Sequence, residues 1–282
     1  MAWKTTPYKF NTSFFDKIDT QEKAYVLGML YADGYNSEDR GNVTLSLTQS
    51  DREILEKINI CLESDRPIRT QVVKNSMYNT QPYCELTFYN RHFSEKLAEI
   101  GCPQKKSHIL KFPSFNIVPE YLIHHFIRGY VDGDGSIVLC DKNKNPNIKV
   151  STATITSTED FCLWIKGYCE EILEINSYIT CRFPERENNT KTLQFGGNRQ
   201  VKKFLDFIYK DATIYLERKF NKYLEISKYL YDYDNLPKTS CTKCGVTPIM
   251  GFGLCSKHYH EDVYYNRGGK EKRRERFLTT GK

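Results

Sequence analysis

The chain has 282 residues, 39% of them hydrophobic and 27% charged, which leaves room for one large domain or two modest ones and excludes a disordered or fibrous protein. No apolar run reaches the roughly 18 residues that a membrane span needs, and the opening MAWKTTPYKF lacks the apolar centre of a secretion signal, so an intracellular protein is expected. The net charge of +6 is concentrated: residues from 236 onward hold ten Lys or Arg against four acids, so the whole excess lies in the tail and points to a polyanionic partner.

The first predicted element is a helix over 24–32, AYVLGMLYA, apolar nearly all round and therefore buried. Gly28 and Ala32 stand four apart on one face, which lets another helix approach closely. The helix is expected to end at Asp33-Gly34, with Gly34 taking a left-handed exit. A strand over 42–49 follows, then an amphipathic helix over 51–62, a hairpin with arms at 67–74 and 82–89, and a helix over 91–100.

The same order then repeats. HFIRGYVDGDGSIV (125–138) echoes AYVLGMLYADGYNS (24–37): at an offset of 101 residues Gly28 aligns with Gly129, Asp33 with Asp134 and Gly34 with Gly135, and Gly133 stands four after Gly129. Strands at 136–142 and 147–156, a helix at 158–174, a hairpin built from SYITCRF and TKTLQF, and helices at 198–209 and 212–230 complete the second unit. The fold class is α+β, in two pseudo-symmetric αββαββα halves. The two Gly-bearing helices are expected to form the interface between the halves.

An acid at a helix C-terminus opposes the partial negative charge already there, at a cost of about 0.3–1 kcal/mol, so stability alone does not explain Asp33 or Asp134. Brought side by side among carbonyl oxygens, the two carboxylates make a hard, anionic spot suited to Mg²⁺, which can activate water for phosphodiester hydrolysis. A calcium loop at DGDGS is excluded, because that pattern wants Gly at its sixth position and Glu at its twelfth, where Ile137 and Asn143 stand.

YVLGMLYADG and FIRGYVDGDG, a hundred residues apart, resemble the paired motifs of the LAGLIDADG homing endonuclease family in its two-motif, single-chain form. The resemblance covers roughly residues 14–230. It implies a monomer, its two sheets forming a saddle over double-stranded DNA, with two or three Mg²⁺ ions at a shared site bound by the catalytic Asp33 and Asp134 and with Gly34 and Gly135 adjacent. It also places a polar residue that positions water at Gln49, or Ser157 in the second half, and the basic catalytic residues at Lys106 and Lys219, with Lys105 as an alternative. The first motif departs from the pattern, having Tyr31 where the second has Asp132.

Alternation along the hairpins turns Arg69 and Gln71, and Tyr178, Thr180 and Arg182, away from the core toward base edges. The loop residues Lys74, Lys142, Lys144, Arg186 and Lys191 are placed to reach phosphates. Pro237 and its polar neighbours in 231–240 read as a linker, giving divisions at 1–117, 118–235 and 236–282. Beyond it, Cys241 and Cys244 in CTKCG and Cys255 with His258 or His260 in LCSKHYH form two close ligand pairs, the arrangement of a structural Zn²⁺ site. RGGKEKRRER (267–276), with Arg273 and Arg274, reads as a basic DNA-binding arm. The seven other cysteines lack regular spacing and are expected in the core. The sequence thus predicts a site-specific double-strand DNA endonuclease. An RNA-splicing maturase or a non-cleaving DNA-binding regulator on the same fold is the alternative.

Overall fold

In the computed structural model, the structure describes residues 8–72, 82–142, 145–181, 190–235, 240–246, 249–251 and 254–261. The chain divides into two compact units, Met1–Leu230 and Tyr231–Lys282.

The larger unit contains the two halves. In the first, α1 (Gln21–Asp33) leads into β1 (Gly34–Ser37) and β2 (Asn42–Thr48), then α2 (Arg52–Cys61), β3 (Arg69–Gln71), β4 (Tyr83–Tyr89) and α3 (Arg91–Glu99). The second runs α4 (Ile123–Asp134), β5 (Gly135–Lys142), β6 (Asn145–Thr158), α5 (Glu159–Leu173), β7 (Ser177–Thr180), β8 (Thr190–Gly196) and α6 (Asn198–Ile208). α7 (Glu217–Asp234) follows. Both sheets are four-stranded and antiparallel, ordered β1-β2-β4-β3 and β5-β6-β8-β7, so the αββαββα repeat is present twice. α7 starts five residues later than the pattern suggested and continues through 231–234, which had read as linker.

Alternation explains which side of each sheet meets the helices. Cys84, Leu86 and Phe88 on β4 are buried with Leu193 and Phe195 on β8, while their neighbours Glu85, Thr87, Thr192 and Gln194 are only half-buried. The helices start where capping chemistry allows: Thr20, Asn90 and Thr158 each accept from the backbone N–H three residues on.

α1 and α4 form the centre of the unit. A Cβ on Gly28 would stand 2.9 Å from the Tyr130 nitrogen and closer still to the Phe126 carbonyl oxygen, and one on Gly129 would stand 3.0 Å from the Met29 nitrogen and closer to the Tyr25 carbonyl. The two backbones touch where side chains would otherwise hold them roughly 8–10 Å apart at their axes. Gly133 packs on Ala32 and lies where a Cβ would come 2.7 Å from Asp33 Oδ2.

Two expectations are corrected. Gly34 (φ −73°, ψ 140°) and Gly135 (φ −96°, ψ 164°) are extended rather than left-handed, because each helix runs straight into a strand. Glycine is needed there for space: a Cβ would fall 2.8 Å from Leu30 Cα or Val131 Cα. Of the scattered cysteines, Cys84, Cys102, Cys162 and Cys169 are buried, but Cys140 is exposed on β5. Among the described residues no helix is long and apolar enough to cross a membrane.

Candidate active site and metal centre

Asp33 and Asp134 are the last residues of α1 and α4. Burial and the charge of Asp134 push the Asp33 pKa up to about 6, against the pull of Lys219 and Lys106. Loss of water raises that of Asp134 as well, with Lys106 and Lys219 opposing. The charge of Asp134 is thus felt at Asp33. Asp134 also lines a cavity of about 130 Å³ together with Ala32, Lys106, Ser107, Tyr130 and Ser157.

The unfavourable electrostatics of an acid at a helix C-terminus are answered by a buried lysine in each half. Lys106 Nζ donates to the carbonyls of Ala32 (3.3 Å) and Gly34 (2.5 Å). Lys219 Nζ donates to those of Val131 (2.6 Å), Asp132 (2.8 Å), Gly133 (3.3 Å) and Gly135 (2.7 Å). These are the carbonyls a helix leaves unpaired at its C-terminus, and a cation there is favourable. Burial lowers the Lys219 pKa to about 8, with Asp132 raising it. Lys105 is the residue preceding this turn, in the left-handed region at φ 59°, and has no described contact with the helix end. The carbonyls of Gly34 and Gly135, expected beside the metal, are turned to the lysines.

A pair of desolvated carboxylates, one of them lining a small cavity, suits a hard divalent cation: bringing one in offsets the burial and the neighbouring Asp134 charge that together hold Asp33 near 6. The donor set fits Mg²⁺.

Residues 20–101 and 122–209, more than half of the chain, match the model of the LAGLIDADG-like domain. The chain belongs to that family. Two solved structures illustrate the shared fold: the LAGLIDADG homing endonuclease I-GzeII in complex with its DNA target, at 11% identity and a TM-score of 0.52 over 76% of this chain and 92% of that one, and I-LtrWI bound to target DNA, at 11% identity and 0.50 over 77% and 93%. No curated protein matches the sequence.

The remaining sequence-predicted residues of this LAGLIDADG chain are placed unequally. Gln49 is exposed at the start of a 3-10 turn and its N–H donates to Pro82 O at 3.0 Å, whereas Ser157 is buried and lines the cavity. Arg69 and Gln71 are exposed on the edge strand β3, opposite Glu85 and Tyr83. Their neighbours Thr70 and Val72 are exposed too, because an edge strand has cover on one flank only. Tyr178 and Thr180 face outward, and Lys142 is exposed at the end of β5. Lys191 is corrected: it lies within β8, half-buried and on the face shared with Leu193 and Phe195, not in a loop. Lys74, Lys144, Arg182, Arg186, Arg273 and Arg274 lie outside the described residues.

Sequence reading missed an ion pair between the halves. Arg218, beside Lys219, grips the buried Asp51 through Nε at 2.8 Å and a second nitrogen at 2.9 Å, a bidentate pair that fixes the start of α7 to the turn after β2. Asp51 had read only as a helix start, and nothing local in the sequence points to a partner 167 residues away.

In the smaller unit β9 (Ile249–Gly251) and β10 (Leu254–Cys255) pair antiparallel, and α8 (Ser256–Tyr259) follows. Gly245 at φ 71° closes the knuckle, donating to Cys241 O at 2.7 Å. The side-chain ligand atoms of Cys241, Cys244, Cys255 and His258 lie within 4.8 Å of one another. His258 Nδ1 is 3.3 Å from Cys241 Sγ and 3.5 Å from Cys255 Sγ, so the cluster gathers His258 and not His260. Burial disfavours the Cys241 thiolate, but the Cys255 backbone N–H and His258 outweigh it and bring the pKa to about 5. Three sulfurs and one imidazole in this spacing fit tetrahedral Zn²⁺.

Proposed function

We propose that this protein is a site-specific DNA endonuclease that cuts both strands of a long, nearly asymmetric duplex. The observation that carries the reading is the pair of desolvated carboxylates at touching helix ends, each end backed by its own buried lysine, in a LAGLIDADG chain. Asp33 and Asp134 would hold Mg²⁺. When bound, the cation supplies Lewis acidity toward the phosphate and a nucleophile from water. Lys106 and Lys219 keep positive charge next to the reacting phosphate while tying down the helix ends, because their ammonium groups are committed to carbonyl oxygens. Preorganised charge of this kind costs no rearrangement when the reaction occurs. The outward faces of the sheets, with Arg69, Gln71, Tyr178 and Thr180, offer hydrogen-bonding groups to base edges. Selection of cleaved molecules from a randomised duplex library in Mg²⁺ tests the reading: a single enriched site with defined cuts on both strands is expected, and no cleavage of any member overturns it.

The Cys241, Cys244, Cys255 and His258 cluster would hold a structural Zn²⁺ and carry the basic tail as a second contact with the DNA backbone. Truncation after Leu236 is expected to weaken DNA binding and to flatten the dependence of log affinity on log salt by about 0.9 for each phosphate the tail had neutralised, leaving the cleavage position unchanged. Unchanged affinity and slope would exclude the tail from the interface.

A further inference from the structure

Each half contains a second link between its motif helix and the segment that carries its lysine. In the second half this link is Asp132, two residues before Asp134 and buried. One of its oxygens accepts from the backbone N–H of Leu216 at 2.8 Å and from the Tyr25 hydroxyl at 2.8 Å, and the other lies 3.5 Å from the Tyr209 hydroxyl. Leu216 immediately precedes α7, and Lys219 stands in the first turn of that helix. A carboxylate at a helix N-terminus satisfies an otherwise unpaired N–H and complements the positive end of the dipole. Asp132 thus fixes the start of the helix that delivers Lys219.

The equivalent position in the first half is Tyr31, two residues before Asp33. Its hydroxyl donates to the Ile100 carbonyl. From there the chain turns through Gly101, at φ 102°, and Cys102, whose thiol lies 3.5 Å from the Leu30 carbonyl, before reaching Lys106. The polarity of each link matches what the segment presents: an N–H in the second half meets an acceptor, and a carbonyl in the first meets a donor. The contact across the pseudo-twofold axis is altered in the same way. Tyr25 reaches Asp132 through its hydroxyl, while Phe126, the residue equivalent to Tyr25, packs edge-on against the Tyr31 ring with centroids 5.0 Å apart.

We propose that Asp132 and Tyr31 are positioning residues, each setting the lysine of its own half, Lys219 and Lys106 respectively. The inference rests on the reading of those lysines as part of the endonuclease site. A displacement of about 1 Å at a reacting group can cost on the order of 100-fold in rate, so loss of either link should slow the strand served by that lysine and spare the other. General loss of stability would slow both strands alike.

The experiment is single-turnover cleavage of the selected duplex with each strand labelled separately, alongside measured DNA affinity and melting temperature. Lys219→Met and Lys106→Met first identify which strand each lysine serves. Asp132→Ala should then slow the Lys219 strand by at least about tenfold with DNA affinity unchanged, and Asp132→Asn, whose amide oxygen still accepts from Leu216, should restore it. Tyr31→Phe, which keeps the ring against Phe126 and removes only the hydroxyl, should slow the Lys106 strand. Equal slowing of both strands, slowing of the wrong strand, or an Asn variant as slow as the Ala variant overturns the proposal. Should Asp132→Ala fail to fold, Tyr31→Phe decides alone. If neither Lys→Met variant slows either strand, it is the reading of the lysines that falls.

Discussion

Among the described residues there are two clusters of metal-suited side chains, and they differ in what supports them. Asp33 and Asp134 project from helices whose other residues, Tyr25, Val26, Leu27, Met29, Phe126, Ile127 and Tyr130 among them, are buried in the main core. Packing creates that site whether or not a cation is bound. Among the described residues of the smaller unit the buried hydrophobic cluster consists of Cys241, Leu254 and Cys255, with Ile249 and Tyr259 against it. Two of its three central residues are the ligands themselves. If Zn²⁺ binds there, binding the metal and ordering the residues around it should be one event, while at the first cluster the two should be separate.

The comparison is tested most severely at the carboxylates. Asp33→Asn or Asp134→Asn should abolish double-strand cleavage in Mg²⁺ while the fold persists and DNA affinity stays within about tenfold, roughly 1.4 kcal/mol. Gel assays of cleavage and binding check this, and wild-type cutting by either variant would remove the acids from the mechanism. Next in size, Gly28→Leu or Gly129→Leu should misplace the acids without altering them. Overpacking typically costs about 1–3 kcal/mol, and here the added carbon meets backbone that cannot rotate away, so a loss at or above that range is expected in denaturant melts, together with loss of cleavage. A strong zinc chelator should unfold the module around Cys241, Cys244, Cys255 and His258 and leave the melting transition of the main unit in place. A melt in which both units lose stability together would show that the sites are not independent.

The smallest effect is a pH dependence at the carboxylate site. Because the folded-state pKa of Asp33 is raised from 3.8 to about 6, the folded protein binds the proton more tightly than the unfolded chain, and this group's contribution to stability falls as pH rises from about 4 to 6. The shift corresponds to at most about 3 kcal/mol, reduced by residual solvent contact. Mg²⁺ competes for the ionised form, so its stabilising effect should be full near pH 7.5 and fade below about 6. Thermal melts with and without Mg²⁺ at pH 5 and 7.5 measure this, and Asp33→Asn should remove the difference.

What the sequence made legible was periodic or repeated. The 101-residue echo located both motif helices, both acids and the glycines at the contact, because small residues four apart and a terminal acid form a local pattern. The ligand pairs of the smaller unit were legible for the same reason. What escaped depended on partners far along the chain. β1, with the sequence GYNS, has no strand propensity of its own; it is a strand because it pairs with β2 and because Asn36 is buried, donating to the carbonyls of Ser94 and Cys102. The start of α7 was misplaced because its determinant, Asp132, lies 84 residues upstream. Asp-Gly suggested a left-handed helix exit, yet both glycines continue into strands, since a close backbone approach and a left-handed bend call for the same residue.

The contact of Gly28 and Gly129 with opposing carbonyls has a further consequence for the cleavage product. The spacing between the two acids is set by main chain against main chain, with no rotamer between them to adjust it. If the acids define where each strand is cut, the stagger between the nicks is a dimension of the helix pair, and every duplex the protein accepts should be left with overhangs of the same length whatever its sequence.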